Sequence, residues 1–249
     1  MFHQSHRSHS ARRSERAQSH VVGVALMLGL AVIALGVLTV GVASLVDSQA
    51  SMADAERVAD GFDQAIQGSE RTGYHSHRIH FADGRLQTEE RTLRVLQNGT
   101  VIESRDIDAL VFENDEYRVT ATAGAVFRDS GHSSSLVTEP SITSSRESQV
   151  LVVSAPVLNA SHVSTGGQGP VSKTLETNVS HNRETLGTGE FQVAIETDRT
   201  GPFERYFEET TGSVDVKRFP GDGHDSVVAT FPGQRQGYLV THSLDLEVT

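Results

Sequence analysis

The sequence predicts an α+β fold, in which a long N-terminal transmembrane and amphipathic helix precedes an antiparallel β-rich domain, either a sandwich or a rolled sheet, with one short helix. Three patterns in the 249 residues support this prediction: an uncharged apolar run, a helical period that continues beyond it, and a period of two in the remainder. They divide the chain into a leader (1–17), a long helix (18–69) and a β-rich domain (74–249).

The apolar run extends from Val21 to Val46 and contains no charged residue. About 26 helical residues at 1.5 Å each span roughly 39 Å, more than the hydrocarbon core of about 30 Å. Four arginines against one acid precede the run, and the first charge after it is Asp47. By the positive-inside rule, the sequence predicts a single-pass membrane helix with a cytoplasmic N-terminus and an outward-facing C-terminal domain.

The helical period continues past the apolar run. Apolar residues recur at steps of three and four from Met52 to Ile66, and charged residues fill the positions between them. Gly68 and Gly73 bracket the predicted end. A helix from about Ser19 to Gln67 would be roughly 70 Å long.

From Tyr74 onward the pattern is typical of strands and turns. Asn98-Gly99 separates two alternating segments, and this dipeptide accepts the positive φ angles of a type I′ hairpin turn. Further strand candidates are Ala109–Phe112, Tyr117–Ala123, Gln149–Val153, Glu190–Glu196, Val214–Arg218, Val227–Phe231 and Tyr238–Val248.

Two segments interrupt the strand pattern. Pro202–Phe207 places three aromatic side chains on one helical face, with Gly212 just past its end, which predicts a short helix whose aromatics plug the sheet. The Ser-, Gly- and Thr-rich segment from Asn159 to Gly169 predicts a surface loop.

Composition excludes several classes of function. The formal charge is -11, and an acidic domain argues against nucleic acid as a partner. The absence of cysteine excludes disulfides, thiolate metal sites and cysteine nucleophiles. Only Lys173 and Lys217 are lysines, and this acidic, lysine-poor composition resembles that of proteins from salt-loving archaea.

The chemical motifs are few. His75 and His77 lie on one face if the segment is a strand, which is compatible with a metal site, but a solvated histidine-rich connector is the favoured interpretation. His132 beside Ser133–Ser135 lies in a segment expected to be a flexible polar loop and lacks a nucleophile elbow. The glycines of Thr165–Gly169 lack a phosphate-loop lysine. The sequence therefore predicts no enzyme and no cofactor.

Three segments satisfy the acceptor pattern for N-linked glycans. They begin at Asn98, Asn159 and Asn178, and all three fall on the side predicted to be outside. Partial glycosylation at these asparagines is therefore expected.

The junction Arg16-Ala17-Gln18-Ser19-His20 and the apolar run after it resemble the class III signal of archaeal type IV pilins and pilin-like proteins. The resemblance implies recognition of Arg16 and Ala17 by a prepilin peptidase that cuts before Gln18 and leaves the helix on the exported protein. It also implies a pilus assembly ATPase, a platform protein and other pilin subunits as partners. Gly124–Arg128 and Leu136–Pro140 more weakly resemble an uncharacterised haloarchaeal family of pilin-like membrane proteins.

The expected function is that of a minor or major subunit of an adhesive surface filament, anchored in membrane lipid before assembly. The alternative is a permanently anchored, unprocessed ectodomain that binds or senses a ligand. An anchored exported enzyme would require a pocket of convergent titratable groups. Cleavage beyond Val46 by ordinary signal peptidase is the fourth possibility, although the apolar run exceeds a usual signal core of about 7 to 15 residues.

Overall fold

The computed structural model describes residues 11–160 and 164–248. The chain divides into two compact units, residues 1–49 and 50–249. In chain order the elements are α1 (Ala11–Gly68), β1 (Gly73–Glu89), β2 (Thr92–Gln97), β3 (Thr100–Asp106), β4 (Ala109–Glu113), β5 (Arg118–Thr122), β6 (Ala125–Asp129), β7 (Ser134–Thr138), β8 (Ile142–Ser145), β9 (Val150–Ala160), β10 (Ser164–Thr197), α2 (Thr200–Thr211), β11 (Val214–Lys217) and β12 (Asp225–Val248). The predicted α+β class is confirmed.

Helix α1 is longer at its start than the sequence predicted. It begins at Ala11 rather than near Ser19, because the intervening Ala, Arg, Glu and Gln residues are good helix formers and nothing there breaks a helix. Its end at Gly68 agrees with the prediction. The Ser69 amide donates to the carbonyls of Ala65 and Ile66, which closes the last turn.

The strands form one 12-stranded sheet, with the order β7-β6-β5-β4-β1-β10-β12-β9-β8, to which β2, β3 and β11 are attached. The two edge strands β7 and β8 are consecutive in the chain, separated by residues 139–141. This short connection holds the edges near each other, so the domain has the rolled-sheet form of the predicted architecture. The paired strands are antiparallel except β9 and β12, which run parallel.

The long strand β10 corrects the predicted loop. Residues 164–169 are strand, paired with β1, whereas residues 161–163 lie outside the described residues. A Cβ on Gly166 would lie 2.9 Å from the Gly84 carbonyl oxygen. The glycines of this segment therefore allow two backbones to approach closely. From composition alone, a glycine-rich strand of this kind cannot be distinguished from a loop.

The other strand predictions have mixed outcomes. The candidates at β4, β5, β9 and β11 are confirmed, Glu190–Glu196 is part of the longer strand β10, and the two C-terminal candidates are parts of the single strand β12. Strands β1, β6, β7 and β8 were not among the candidates. Ser134 and Ser135 lie in β7, so the expected flexible serine loop is wrong there; polar edge strands carry little hydrophobic alternation. Asn98 and Gly99 have φ angles of 50° and 80°, which confirms the hairpin turn.

The domain has two hydrophobic clusters. In the first, Phe203 and Phe207 of α2 are fully buried, and the Phe203 ring lies 5.9 Å from that of Phe127. Gly212 ends α2 in the left-handed conformation, as predicted. The aromatic face of α2 therefore does plug the sheet.

The second cluster lies beneath the carboxyl-terminal part of α1. Val58 and Phe62 pack there against Ile79 and Phe81 of β1 and other core residues of the sheet. β10 and β12 contribute residues to both clusters. The segment 50–68 of α1 is thus part of the folded domain.

Candidate functional site

The first candidate functional feature is the apolar part of α1. Between Val22 and Val46, every large apolar side chain that the structure describes is exposed, from 53% at Val42 to 78% at Met27. A Cβ added at Gly23, Gly29 or Gly36 would meet no atom within 4 Å. In the described part of the chain, one helix is long and apolar enough to cross a membrane, and this segment lies within it.

The predicted processing junction lies near the start of α1. The backbone at Arg16, Ala17 and Gln18 is helical, while their side chains lie outside the described residues. Cleavage between Ala17 and Gln18 stays a prediction.

The carboxyl-terminal part of α1 docks on the sheet through buried side chains and through Asp54. Asp54 is 2% exposed. Its Oδ2 accepts hydrogen bonds from the backbone amides of Ala82 at 2.7 Å and Asp83 at 3.3 Å, and Arg57 pairs with Oδ1 at 3.0 Å. The register of β1 shifts at Phe81/Asp83, so Asp54 satisfies amides at this irregularity.

Three further polar contacts join the same segment to strands β6 and β7 and the loop after β4. Asn114 Nδ2 donates to the Ser51 carbonyl at 3.0 Å. Thr138 Oγ1 donates to Asp63 Oδ1 at 2.6 Å. Arg128 pairs with Glu56 at 3.2 Å, in an exposed position where such a pair contributes little. Docking therefore combines an apolar stripe with directional contacts.

A largely buried ion-pair network links β1, the residue before β2, and β5 to the end of β10. Arg91 and Arg118 bind the Glu89 carboxylate at 2.6 and 2.7 Å. Arg118 Nε lies 3.1 Å from Asp198. Burial alone would raise the pKa of Glu89, but the hydrogen bonds and charges of Arg118 and Arg91 outweigh it and lower that pKa. The network holds strands together rather than presenting a reactive group.

A polar cleft of about 800 Å³ lies beside this network. The buried Glu196 lines it and accepts hydrogen bonds from the amides of Thr92 and His224, at 3.1 and 3.0 Å. Asp222, also in its wall, pairs with Arg94 at 2.5 Å. These carboxylates are therefore engaged in structural contacts. The described residues hold no group of three or more His, Asp or Glu side chains suited to a metal ion.

The sequence did not predict a contact between two distant histidines. His181 Nδ1 lies 2.6 Å from His242 Nδ1, and His242 Nε2 lies 2.5 Å from Ser154 Oγ. Burial lowers the pKa of His242, the neighbouring His181 adds to this effect, and Glu70 opposes it. Nucleophilic enzyme sites also combine a serine, a histidine base and an orienting group. Here His242 is only 9% exposed, so this arrangement is largely shielded from solvent.

The favoured interpretation of a solvated connector at His75 and His77 is wrong, because both residues lie in strand β1, on the side facing the end of α1. His75 Nε2 donates to the Arg71 carbonyl at 2.7 Å. Burial lowers the pKa of His77, and the charge of His75 adds to this effect. The alternation of side chains along a strand is the signal that placed His75 and His77 on one face. The contact between His181 and His242 joins two strands, and no local sequence signal indicates such a pairing.

The glycan acceptor asparagines Asn98, Asn159 and Asn178 are all exposed. Asn98 occupies the hairpin tip, as predicted. Asn178 and Asn159 both oppose Asp245 of β12, from β10 and β9 respectively, and Asn159 Nδ2 donates to its carboxylate at 3.1 Å. Exposure is compatible with modification, which stays a prediction.

Comparison with known proteins identifies the family. A family model described as a family of unknown function, DUF7289, matches residues 16–247. No curated protein and no solved structure matches the chain. The match begins at Arg16 and covers both the apolar helix and almost all of the rolled-sheet domain. The chain therefore belongs to the DUF7289 family.

Proposed function

We propose that this protein is a pilin-like subunit, minor or major, of a structural and adhesive surface filament. Its leader is cytoplasmic and its sheet domain faces outward. The observation that supports this most strongly is the continuity of α1, whose first part exposes apolar side chains on every side and whose last part belongs to the core of the domain.

The apolar part of α1 requires a cover other than water. Burying one large apolar side chain contributes roughly 1.5–3 kcal/mol, so exposing the fourteen described ones between Val22 and Val46 to water would cost tens of kcal/mol. Membrane lipid covers them before export is complete. In a filament, helices of other subunits take the place of lipid.

The contacts of residues 50–68 give the helix a mechanical role. Asp54, Asn114 and Thr138 fix this segment to the sheet through hydrogen bonds, and Phe62 fixes it through buried apolar contact. A force applied to the helix would reach the domain through a packed interface. This arrangement suits a subunit whose helix is held by its neighbours.

The resemblance at Arg16-Ala17-Gln18 supplies the partners of this proposal. A prepilin peptidase removes residues 1–17, and an assembly ATPase and a platform protein drive extraction of the helix. This role is structural and assigns no catalysis to the chain.

Cysteine cross-linking tests the filament directly, because the chain has no natural cysteine. Gly29→Cys places one thiol in the apolar helix, and Val101→Cys places one on the exposed strand β3 as a matched control. We expect oxidation of sheared surface material to give dimers of the Gly29→Cys subunit. Their absence, with the protein confined to membranes, would contradict assembly through this helix.

The alternative is a permanently anchored ectodomain, which the same apolar helix also supports. It predicts that residues 1–17 remain attached, and that Ala17→Asp leaves localisation unchanged and alters the mass only by the substituted side chain. The filament proposal predicts that this substitution blocks removal of the leader and abolishes surface filaments containing the protein.

A further inference from the structure

The sheet surface beneath α1 changes from apolar to histidine-rich where the helix ends. Along three adjacent strands, period-two positions place these residues on the face that carries the second hydrophobic cluster. The histidine cluster consists of His75 and His77 on β1, His181 on β10 and His242 on β12. Their apolar neighbours at the alternating positions of the same strands are buried: Ile79, Phe81, Leu175, Val179, Leu244 and Leu246.

The end of α1 contacts this cluster directly. His75 Nε2 donates to the carbonyl of Arg71, and a Cβ on Gly68 would lie only 3.0 Å from His77 Nε2. The carbonyls of the last turn are occupied, since those of Ala65 to Gly68 accept from the amides of residues 69–71. His77 Nε2 is buried without a hydrogen-bond partner.

The pair on β10 and β12 has room for one shared proton. His181 Nδ1 and His242 Nδ1 are 2.6 Å apart, so one ring donates and the other accepts. If both rings were protonated, two N–H groups would point at each other. The other nitrogen of His242 is held by Ser154 Oγ on β9, which limits rotation of the ring away from His181.

The groups around His242 act on its pKa in both directions. Burial and the neighbouring His181 lower this pKa by more than the charge of Glu70 and a hydrogen bond with the Ser69 backbone, both from the helix end, raise it. His75 is the titratable group that interacts with His77 from the same strand. Both His77 and His242 therefore favour the neutral form in the docked structure.

A packing gap lies beneath the same turns of α1. An apolar cavity of about 40 Å³ is lined by Ala65 and Ile66 of the helix and by Leu244 and Leu246 of β12, among others. Missing contacts weaken the attachment of this segment relative to a filled core. Freeing these turns therefore forfeits fewer contacts than freeing the same turns from a filled core would.

We propose that docking of the last turns of α1 on the sheet is a proton-sensitive contact, stable while the histidine cluster is neutral and released when His77 and His242 gain protons. Acid would free residues 60–71 from the sheet while the remaining core of the domain stays folded. The sheet domain would then release the last turns of α1 in response to external pH. This response does not depend on whether filaments form.

The direction of the pH effect follows from linkage. A histidine whose pKa is lower in the docked state binds its proton preferentially in the released state. Docking is therefore fully stable above the ordinary histidine pKa of 6.5 and weakens as pH falls below it. Each such histidine changes the opening equilibrium up to about tenfold per pH unit in this window.

Hydrogen–deuterium exchange on the full chain in detergent micelles tests the proposal, at about pH 7.5 and about pH 5.5, after correction for intrinsic exchange rates. We expect the opening equilibrium of residues 60–71 to rise roughly ten- to hundredfold in acid, while β10 and β12 beneath α2 stay protected. Equal protection of residues 60–71 at both pH values would overturn the proposal.

Matched variants identify the responsible groups. His77→Gln and His242→Gln should each reduce the pH effect, whereas His80→Gln, on the exposed face of the same strand β1, should leave it intact. An undiminished pH effect in both of the first two variants would overturn the proposal. If either variant misfolds, histidine titration by NMR in the unsubstituted protein decides: midpoints for His77 and His242 below that of an unfolded-chain histidine support it, and midpoints at or above that value refute it.

Discussion

The Asp54 carboxylate accepts the Ala82 amide at 2.7 Å, across 28 residues of sequence. This contact joins the amphipathic part of α1 to β1 at a shift in strand register. A helix side chain thus satisfies backbone groups that the sheet leaves unpaired, and it does so in a buried position.

Asp54→Ala should destabilise the domain by about 1–3 kcal/mol, because it leaves the amides of Ala82 and Asp83 without their acceptor. Thermal unfolding of the full chain in detergent measures this effect. Asp60→Ala, on the exposed face of the same helix, is the control and should change stability by less than about 0.5 kcal/mol. Equal effects of the two substitutions would show that Asp54 has no special role.

Glu89→Gln should lower stability at neutral pH and flatten the acid limb of the stability curve. The pKa of Glu89 is lowered in the folded protein, so its contribution is present above its ordinary value of 4.5 and is lost as pH falls through the folded value. Unfolding in urea at several pH values measures the slope. Glu90→Gln, at the exposed neighbouring position, should retain the normal slope.

Gly166→Ala should destabilise the pairing of β1 with β10 by roughly 1–3 kcal/mol, because the new Cβ would lie 2.9 Å from the Gly84 carbonyl oxygen. Gly167→Ala is the matched control, since its Cβ would lie 3.6 Å from Val171, an ordinary contact. Urea unfolding compares the two. A larger loss for Gly167→Ala would contradict the close approach of the two strands.

Phe203→Ala should cost about 3–5 kcal/mol, because a fully buried ring against Phe127 leaves a cavity. Tyr206→Ala, where the ring is only partly buried, should cost less. Calorimetry gives both values. A smaller loss at Phe203 than at Tyr206 would contradict the plug role of α2.

The sequence correctly predicted those elements that depend only on residues adjacent in the chain. The uncharged run before Asp47 predicted a membrane-length helix, and Asn98-Gly99 predicted the hairpin because its dihedral requirement is local. Contacts between distant residues were not predictable: Gly166 resembles a loop residue until its close approach to the Gly84 carbonyl is known. The pairing of His181 with His242 depends on strand register, which periodicity does not specify.

Some of the features that support the proposed function can be recognised in the sequence, and others only in the folded structure. The arginines, Ala17 and Gln18 of the junction form a contiguous motif, so the sequence alone indicates processing there. The docking of Asp54 and the histidine cluster beneath the helix end are tertiary, and only the folded chain brings their members together.

N-terminal sequencing of the protein recovered from cells tests the central claim most directly. The account predicts that native material begins at Gln18 and still contains the apolar helix. Material that begins at Met1, or that begins beyond Val46, would contradict it.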